Sequence, residues 1–247
     1  MSERFYIDPN ISTLTGGTAI LGGDEAHHFR NVMRGKTGDE IVLFDGTGFS
    51  YNGVVEAVQK NTIAVQITER IADTIESPLR LSVATALPKG DRQRFLAEKL
   101  AELGVARLVP LALERSVVKA TDNGIAKLKR YVIEAAKQCG RNVLMDITEE
   151  LTLEQYNTLL EQDGNLTKLI LHPVSLGQAG QITANQLLSK PLPQKIAVLV
   201  GPEGSFTGKE VETALQLGFQ PLDLGARVLR TETACVAAAS LLLTFAG

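Results

Sequence analysis

Apolar and polar residues alternate over several short stretches in the first 70 residues of the chain. This two-residue period is typical of half-buried strands, and it predicts strands at residues 40–44, 49–58 and 62–71. The sequence Asp45-Gly46-Thr47-Gly48 predicts a hairpin turn. A helix is predicted at residues 24–33, with Asp24 as its N-cap and Gly35 as its terminator. Several short strands around one helix predict a small β-barrel, which we assign to an N-terminal domain at residues 1–72.

After a polar linker at residues 72–78, strands alternate with helices along the chain. Short apolar runs predict strands at residues 79–86, 107–113, 168–172 and 195–200. Helices are predicted at residues 91–103, 123–139, 153–161, 207–217 and 231–245, and Thr207 with Glu210 forms a predicted capping box. The alternation predicts an α/β domain at residues 79–247. The apolar runs at 168–172 and 195–200 fit buried parallel strands.

The composition is that of an ordinary globular protein, because 44% of the 247 residues are hydrophobic and 21% are charged. The longest nearly apolar stretch, residues 234–246, is shorter than the ~20 residues that span a bilayer, and the N-terminus lacks a secretory signal. We therefore expect a cytoplasmic protein without a membrane anchor. The only cysteines are Cys139 and Cys235, and adjacent His27 and His28 diverge on a helix, so we expect no disulfide framework and no metal site.

Positive charge is concentrated in one quarter of the chain. Residues 80–141 contain 13 basic and 6 acidic residues, a net charge of +7, whereas the net charge of the whole chain is -3. A local surface that faces nucleic-acid phosphates requires such a concentration. Solvated helix faces in no particular register would produce the same totals, so the charge distribution alone leaves both interpretations open.

The segment from Gly201 to Phe206 is a glycine-rich loop between a predicted buried strand and a capped helix. Ligands bind at the carboxyl ends of such strands. The loop matches neither the dinucleotide fingerprint GxGxxG nor the Walker A motif, which excludes two nucleotide-binding classes. The carboxylate of Glu203 would also repel a triphosphate. The loop therefore favours a neutral or cationic ligand, or it is a plain tight turn.

Charged residues also crowd the segment from Leu224 to Ala234, at the start of the last predicted helix. Thr231 can cap that helix. Arg227 and Arg230 stand before its N-terminus, where the helix dipole disfavours cations. Residues placed against local preference are often functional, so this segment is a second candidate part of a ligand site.

The two segments, GPEGSF at residues 201–206 and LGARVLRTETA at residues 224–234, resemble the C-terminal signatures of the RsmE family of SPOUT methyltransferases. The resemblance covers nearly the whole chain through His27-His28, Val32, Arg34, Gly38-Asp39-Glu40, Lys89, Glu102-Leu103-Gly104-Val105, Arg115-Ser116, Gln138 and Arg141. Two residues depart from the family pattern, Ser205 in place of a glycine and Met33 in place of a leucine. That family methylates N3 of a specific uridine in the RNA of the small ribosomal subunit.

The resemblance implies an α/β fold with an N-terminal PUA-like, RNA-binding β-barrel and a C-terminal SPOUT domain that contains a deep trefoil knot. It also implies a homodimer that uses S-adenosylmethionine as cofactor and 16S rRNA of the small subunit as substrate. The residues expected to hold the cofactor are Leu171, His172, Pro173, Val200, Gly201, Pro202, Glu203, Gly204, Leu224, Gly225, Val228, Leu229 and Thr231. The expected contacts with RNA phosphates are Arg4, Arg30, Arg34, Lys89, Arg92, Arg94, Arg115, Lys119 and Arg141.

Catalytic roles are predicted for three residues. We expect Arg230 to stabilise the charge that develops on a uracil oxygen as N3 loses its proton. Glu232 or Glu203 would orient that arginine or help to remove the proton, unless Glu232 only caps the last helix. Two other functions fit the same residues: a SPOUT methyltransferase that acts on another RNA base or ribose, and a ribosome-assembly factor that binds RNA without catalysis.

Overall fold

The structure, a computed structural model, describes residues 3–9, 17–72, 75–172, 182–189 and 191–245. The chain divides into two compact units. The first unit contains Met1–Glu76 and Ile133–Leu144, and the second contains Ser77–Val132 and Met145–Gly247. The chain therefore passes from one unit to the other three times, whereas the predicted domains meet at a single boundary.

The first unit contains a five-stranded mixed sheet in the order β1-β3-β4-β5-β2. Its strands are β1 (Arg4–Tyr6), β2 (Thr18–Gly22), β3 (Glu40–Phe44), β4 (Ser50–Val58) and β5 (Thr62–Ile71). Strand β1 runs parallel to β3, and the other neighbours are antiparallel. The three predicted strands are confirmed as β3, β4 and β5. Strands β1 and β2 were not predicted, and the three residues of β1 are too few to show a two-residue period.

Alternate residues of these strands point into the core of the first unit, as the two-residue period predicts. The buried side chains include Phe5, Leu21, Ile41, Leu43, Val55, Ile63 and Val65, and they enclose the ring of Phe29. The Phe5 and Phe29 rings lie edge to face with their centroids 5.7 Å apart. This cluster is the apolar core against which the sheet packs.

The helix predicted at residues 24–33 is present but changes its hydrogen-bonding pattern after one turn. An α-helix, α1 (Gly23–His27), is followed by a π-helix at His28–Val32. The predicted end residues are wrong at both ends. Gly22 is the N-cap and Asp24 lies in the first turn. The left-handed residue at the C-terminus is Arg34, with φ 58°, and not Gly35.

Gly35 is needed for a different reason, namely close packing. Its N–H donates to the Phe29 carbonyl at 3.0 Å. A Cβ atom added at Gly35 would overlap the Phe29 ring, lying 2.6 Å from its Cε1 atom. The turn therefore closes over the buried ring only because residue 35 has no side chain.

Residues Ile133–Leu144 belong to the first unit because their side chains are bound within it. Lys137 pairs with Glu25 at 3.0 Å. Arg141 donates through Nε and Nη2 to the two Glu76 oxygens at 2.8 and 2.6 Å, and its side chain is only 3% exposed. The prediction that Arg141 contacts RNA phosphates is therefore wrong, since the guanidinium is buried against a carboxylate.

Arg4 is likewise part of the packing of the first unit. Its guanidinium donates to the Arg141 carbonyl at 3.2 Å and to the side chain of Asn142, and it lies 5.0 Å from the centroid of the Phe44 ring. Burial lowers the pKa of the Arg4 guanidinium. These contacts give Arg4 a structural role that the charge pattern alone did not predict.

The second unit contains a seven-stranded parallel sheet in the order β10-β12-β9-β11-β6-β7-β8. Its strands are β6 (Arg80–Thr85), β7 (Arg107–Pro110), β8 (Asp146–Ile147), β9 (Thr167–Leu171), β10 (Ile182–Thr183), β11 (Lys195–Val200) and β12 (Gln220–Asp223). Every neighbouring pair is parallel. The predicted α/β class and its parallel sheet are confirmed. Strands β8, β10 and β12, which have two to four residues, were not predicted.

Within the described residues, six helices accompany this sheet: α2 (Asp91–Glu102), α3 (Asp122–Cys139), α4 (Leu153–Gln162), α5 (Ala184–Leu188), α6 (Gly208–Gln216) and α7 (Thr231–Thr244). The last seven residues of α3 lie in the first unit. Five of the six were predicted to within two residues at each end. The capping box of α6 is confirmed, because the Thr207 hydroxyl accepts from the Glu210 N–H at 3.3 Å and the Thr207 N–H donates to the Glu210 carboxylate at 2.7 Å.

The parallel arrangement brings four chain segments to one edge of the sheet. Strand β11 pairs with β6 on one side and with β9 on the other, and β9 pairs with β12. Because parallel strands share a direction, the segments that follow these four strands emerge at the same edge. Two of them are the loops at residues 201–206 and 224–230, which the sequence analysis singled out.

None of the helices that the structure describes is long and apolar enough to cross a membrane. Within the described ranges, no cluster of three or more histidine, cysteine, aspartate or glutamate side chains is arranged to hold a metal ion.

The packing of Gly35 against Phe29 can be tested with a pair of glycine-to-alanine variants. We expect Gly35→Ala to lower the free energy of unfolding by about 1–3 kcal/mol, because the added methyl group overpacks a buried ring. Gly124→Ala is the control, since Gly124 lies in α3 and its added Cβ would make only one ordinary contact at 3.4 Å. That variant should gain about 0.5–1 kcal/mol from helix propensity. Denaturant titration measures both, and equal effects would contradict the role assigned to Gly35.

Candidate functional site

One pocket of about 200 Å³ lies at the carboxyl edge of the sheet in the second unit. It is formed by the ends of β9, β11 and β12, by the loops that follow them and by the start of α7. Its walls are Leu171, His172, Val200, Gly201, Pro202, Glu203, Ser205, Leu222, Asp223, Leu224, Gly225, Arg227, Val228, Leu229, Thr231 and Ala234. The two segments singled out in the sequence thus line a single cavity.

Eleven of the thirteen residues expected to hold a cofactor line this pocket. Gly204 does not, and Pro173 lies outside the described residues. Three further walls, Ser205, Arg227 and Ala234, lie within the two segments singled out above, whereas Leu222 and Asp223 were missed. Leu222 and Asp223 end strand β12, which is too short to be predicted, so no sequence signal placed them there. The cofactor-binding role of the eleven expected residues stays a prediction.

The glycine loop is held by a hydrogen bond from the last helix. The Thr231 hydroxyl donates to the Gly201 carbonyl at 3.0 Å, and the Thr231 side chain is buried. The prediction that Thr231 caps α7 is wrong. Thr231 is the first residue of the helix, and Arg230 occupies the N-cap position without a side-chain capping hydrogen bond. A Cβ added at Gly201 would lie 3.1 Å from the Phe206 ring, so this loop also depends on the absence of a side chain.

Ser205 occupies the position where the family pattern has a glycine, and its backbone explains that preference. Its φ is 60°, in the left-handed region that favours glycine. The Ser205 N–H donates to the Pro202 carbonyl at 2.8 Å, which closes the turn. The substitution therefore keeps the loop conformation at the expense of backbone strain.

Arg115 braces the glycine loop from outside the pocket. Its Nη1 donates to the Gly204 carbonyl at 2.7 Å, and its side chain packs where a Cβ of Gly204 would lie, with the Arg115 Cδ 3.2 Å from that point. The side chain is otherwise exposed. Arg115 was predicted only as an RNA contact, and the structure adds this bracing of the loop.

A charged cluster lies beside the pocket, and it differs from the predicted one. The Arg92 guanidinium forms an ion pair with Glu203 and lies 3.9 Å from Glu232. Arg230 is exposed and makes no ion pair with any residue that the structure describes. Both carboxylates face Arg92, and the expected orientation of Arg230 by Glu203 or Glu232 stays a prediction.

His172 contributes a half-buried imidazole to the pocket wall. Burial lowers the pKa of His172, so the neutral ring is favoured near pH 7. Its Nδ1 is buried and has no hydrogen-bond partner within the described part of the chain. A polar atom of this kind is available to a ligand, which makes His172 more than the structural histidine that its position on a buried strand predicts.

The remaining basic candidates are spread over both units. Lys89, Arg94 and Lys119 are exposed in the second unit, and Arg34 is exposed in the first. Arg94 pairs with Glu98 at 2.6 Å. Arg30 donates to the backbone carbonyl of Lys60. None of these side chains lines the pocket, so their proposed contacts with RNA remain predictions based on charge.

Comparisons with known proteins match the chain to two family models. A family model described as an RNA methyltransferase domain matches residues 75–243, and one described as an RNA methyltransferase PUA domain matches residues 21–68. A curated relative, ribosomal RNA small subunit methyltransferase E of Bacillus subtilis, is 31% identical over 94% of this chain and 92% of its own. A relative of the same name from Buchnera aphidicola is 29% identical over 99% of this chain and 94% of its own.

Two solved structures are similar over almost the whole chain. A methyltransferase from Legionella pneumophila in complex with S-adenosylmethionine has a TM-score of 0.85 and 33% identity, covering 99% of this chain and 98% of its own. Ribosomal RNA small subunit methyltransferase E from Neisseria gonorrhoeae, bound to S-adenosylmethionine, has a TM-score of 0.83 and 32% identity, with the same coverage.

The strain at Ser205 can be measured directly. We expect Ser205→Gly to raise the free energy of unfolding by about 0.5–1 kcal/mol, because the relief of left-handed strain exceeds the added entropy of the unfolded chain. The melting temperature should rise by about 1–4 °C. Ser205→Ala keeps the strain and is the matched control. If the alanine variant gained as much as the glycine variant, the strain would not be the cause.

Proposed function

Because the chain belongs to the ribosomal RNA small subunit methyltransferase E family, we propose that it transfers the methyl group of S-adenosylmethionine to N3 of a uridine in 16S rRNA. The observation that carries the proposal is the pocket of the second unit, where both motif segments meet around one cavity. The names of the relatives and the cofactor bound in two similar structures support the substrate class and the cofactor.

The pocket suits S-adenosylmethionine chemically. Its walls are largely apolar, with Leu171, Val200, Leu222, Leu224 and Leu229 around the cavity, as an adenine ring and a carbon chain require. Two carboxylates, Glu203 and Asp223, and one guanidinium, Arg227, also line it, and the excess of negative charge favours a positively charged ligand over a phosphate. The cofactor bound there would supply a methyl group on a cationic sulfur, and that sulfur would leave as a neutral thioether when a nucleophile takes the methyl group.

The residues of the site then have separate tasks. The N3 nitrogen gains the methyl group and loses its proton, and negative charge develops on the uracil oxygens. Arg230 stabilises that charge, since its guanidinium is exposed, without an ion pair to any described residue, and placed at the N-terminus of α7. Glu203 accepts the proton, because its carboxylate lines the pocket and remains one-third exposed. Glu232 is too buried to meet the substrate directly.

Several finer features belong to the same proposal. The first unit is a PUA-like β-barrel that binds RNA, and the second unit contains a deep trefoil knot. The protein is a homodimer that acts on the small ribosomal subunit in the cytoplasm. The exposed cations Arg34, Lys89, Arg94, Arg115 and Lys119, together with the partly buried Arg30, would contact the RNA backbone.

The reaction can be tested with methyl-labelled S-adenosylmethionine and small ribosomal subunits that lack the modification. We expect the label in 3-methyluridine of the 16S rRNA. Label in another nucleoside would keep the methyltransferase activity and replace the substrate. Cofactor binding without any label would contradict the proposed substrate altogether.

The role of Arg230 gives a second test. Arg230→Ala should lower kcat by about 100-fold, the effect of removing one donor from an oxyanion site, while the Kd for S-adenosylmethionine stays within about threefold. Lys209→Ala is the control, because Lys209 is an exposed cation at the start of α6. An unchanged kcat in Arg230→Ala would remove the arginine from the mechanism.

A further inference from the structure

Arg92 lies beside the pocket and has no role in the mechanism proposed above. It is the second residue of α2, which begins at the carboxyl edge of the sheet after β6. Its Nη1 atom is the point of contact with both carboxylates, the ion pair with Glu203 Oε1 and the 3.9 Å approach to Glu232 Oε2. One guanidinium nitrogen therefore lies between a carboxylate of the pocket wall and a carboxylate of the last helix.

The two carboxylates differ in their access to solvent. The Arg92 and Glu203 side chains are each 33% exposed, whereas Glu232 is 8% exposed. The Oε2 atom of Glu232 is buried and has no hydrogen-bond partner among the described residues. A buried carboxylate needs a compensating charge. Arg92 is the one cation within 4 Å of it in the described part of the chain, and the N-terminus of α7 adds a smaller contribution.

These contacts argue against the phosphate contact predicted for Arg92 from charge alone. The cluster of Arg92, Glu203 and Glu232 has a net charge of -1, so an approaching phosphate would meet two carboxylates around a cation that is already paired. Lys89, three residues earlier, is exposed and makes no ion pair with the described residues. The two neighbouring cations are therefore suited to different tasks.

We infer that Arg92 is a positioning residue, which holds the Glu203 carboxylate at the wall of the pocket and is itself anchored from the buried side by Glu232. The inference rests on the proposed function, because it assigns Glu203 as the group that accepts the substrate proton. Glu232 then acts through Arg92 and not on the substrate. A single charge in the correct place is sufficient for this task, since both carboxylates approach the same nitrogen.

The experiment compares Arg92→Met, Arg92→Lys and Lys89→Met, with Lys99→Met as the control. Lys99 lies on the same helix and pairs with Glu102 at 2.7 Å, so its loss also removes one cation and one ion pair from α2. Each variant is assayed for kcat at saturating RNA and S-adenosylmethionine, for the salt dependence of RNA binding, and for thermal stability.

We expect Arg92→Met to lower kcat at least tenfold and to leave the salt dependence of RNA binding unchanged. Arg92→Lys should recover kcat to within about threefold of wild type, because the ammonium can replace the single Nη1 contact. Lys89→Met should reduce the slope of log K against log salt by about 0.7–0.9, the range for one phosphate contact in single strands and in duplex DNA. Lys99→Met should match wild type in kcat.

A loss of about 0.7–0.9 in the salt slope of Arg92→Met, with kcat unchanged, would overturn the inference and restore the phosphate contact. Failure of Arg92→Lys to recover any activity, with its stability intact, would also overturn it, since charge alone would not suffice. Arg92→Lys also decides the matter if Arg92→Met does not fold. The proposed function is tested separately by wild-type protein: absence of 3-methyluridine there defeats the function, whereas normal wild-type activity with an active Arg92→Met defeats only the role of Arg92.

Discussion

The site depends on the parallel pairing of strand β11 with β6 and β9. Six residue pairs join β11 to β6 and five join it to β9, and all but the first side chain of β11 are buried. Because the three strands run in the same direction, β11 ends at the same edge of the sheet as β6 and β9. The glycine loop, the loop after β12 and the N-terminus of α2 are brought together there by strand direction.

The fold could be predicted wherever an element was long or strongly apolar. The strand at residues 195–200 was predicted with the observed bounds, because the five consecutive apolar residues after Lys195 leave few alternatives. Short elements such as β12 carry too few residues for a period to appear. The terminator predicted for the helix at residues 24–33 was also wrong. Gly35 is required by its packing against the buried Phe29 ring, and capping preferences do not describe such a contact.

The walls of the pocket were largely predictable, but the charge pairing beside it was not. Eleven of the residues that the family resemblance predicted to hold the cofactor line one cavity. Ion pairs depend on which side chains meet in three dimensions, and composition does not contain that information. Arg92 and Arg141 both counted toward the basic segment, yet one pairs beside the pocket and the other is buried against Glu76. Charge totals therefore overestimated the surface available to RNA.

The placement of Ile133–Leu144 in the first unit sets an order for folding on the ribosome. Glu25 and Glu76 precede their partners Lys137 and Arg141 by more than 60 residues in the chain. A nascent chain that has emerged only as far as Glu76 contains all five strands of the sheet but still lacks the cations that neutralise these two carboxylates. The amino-terminal unit, although synthesised first, therefore reaches its complete set of contacts only when more than half of the protein has left the exit tunnel.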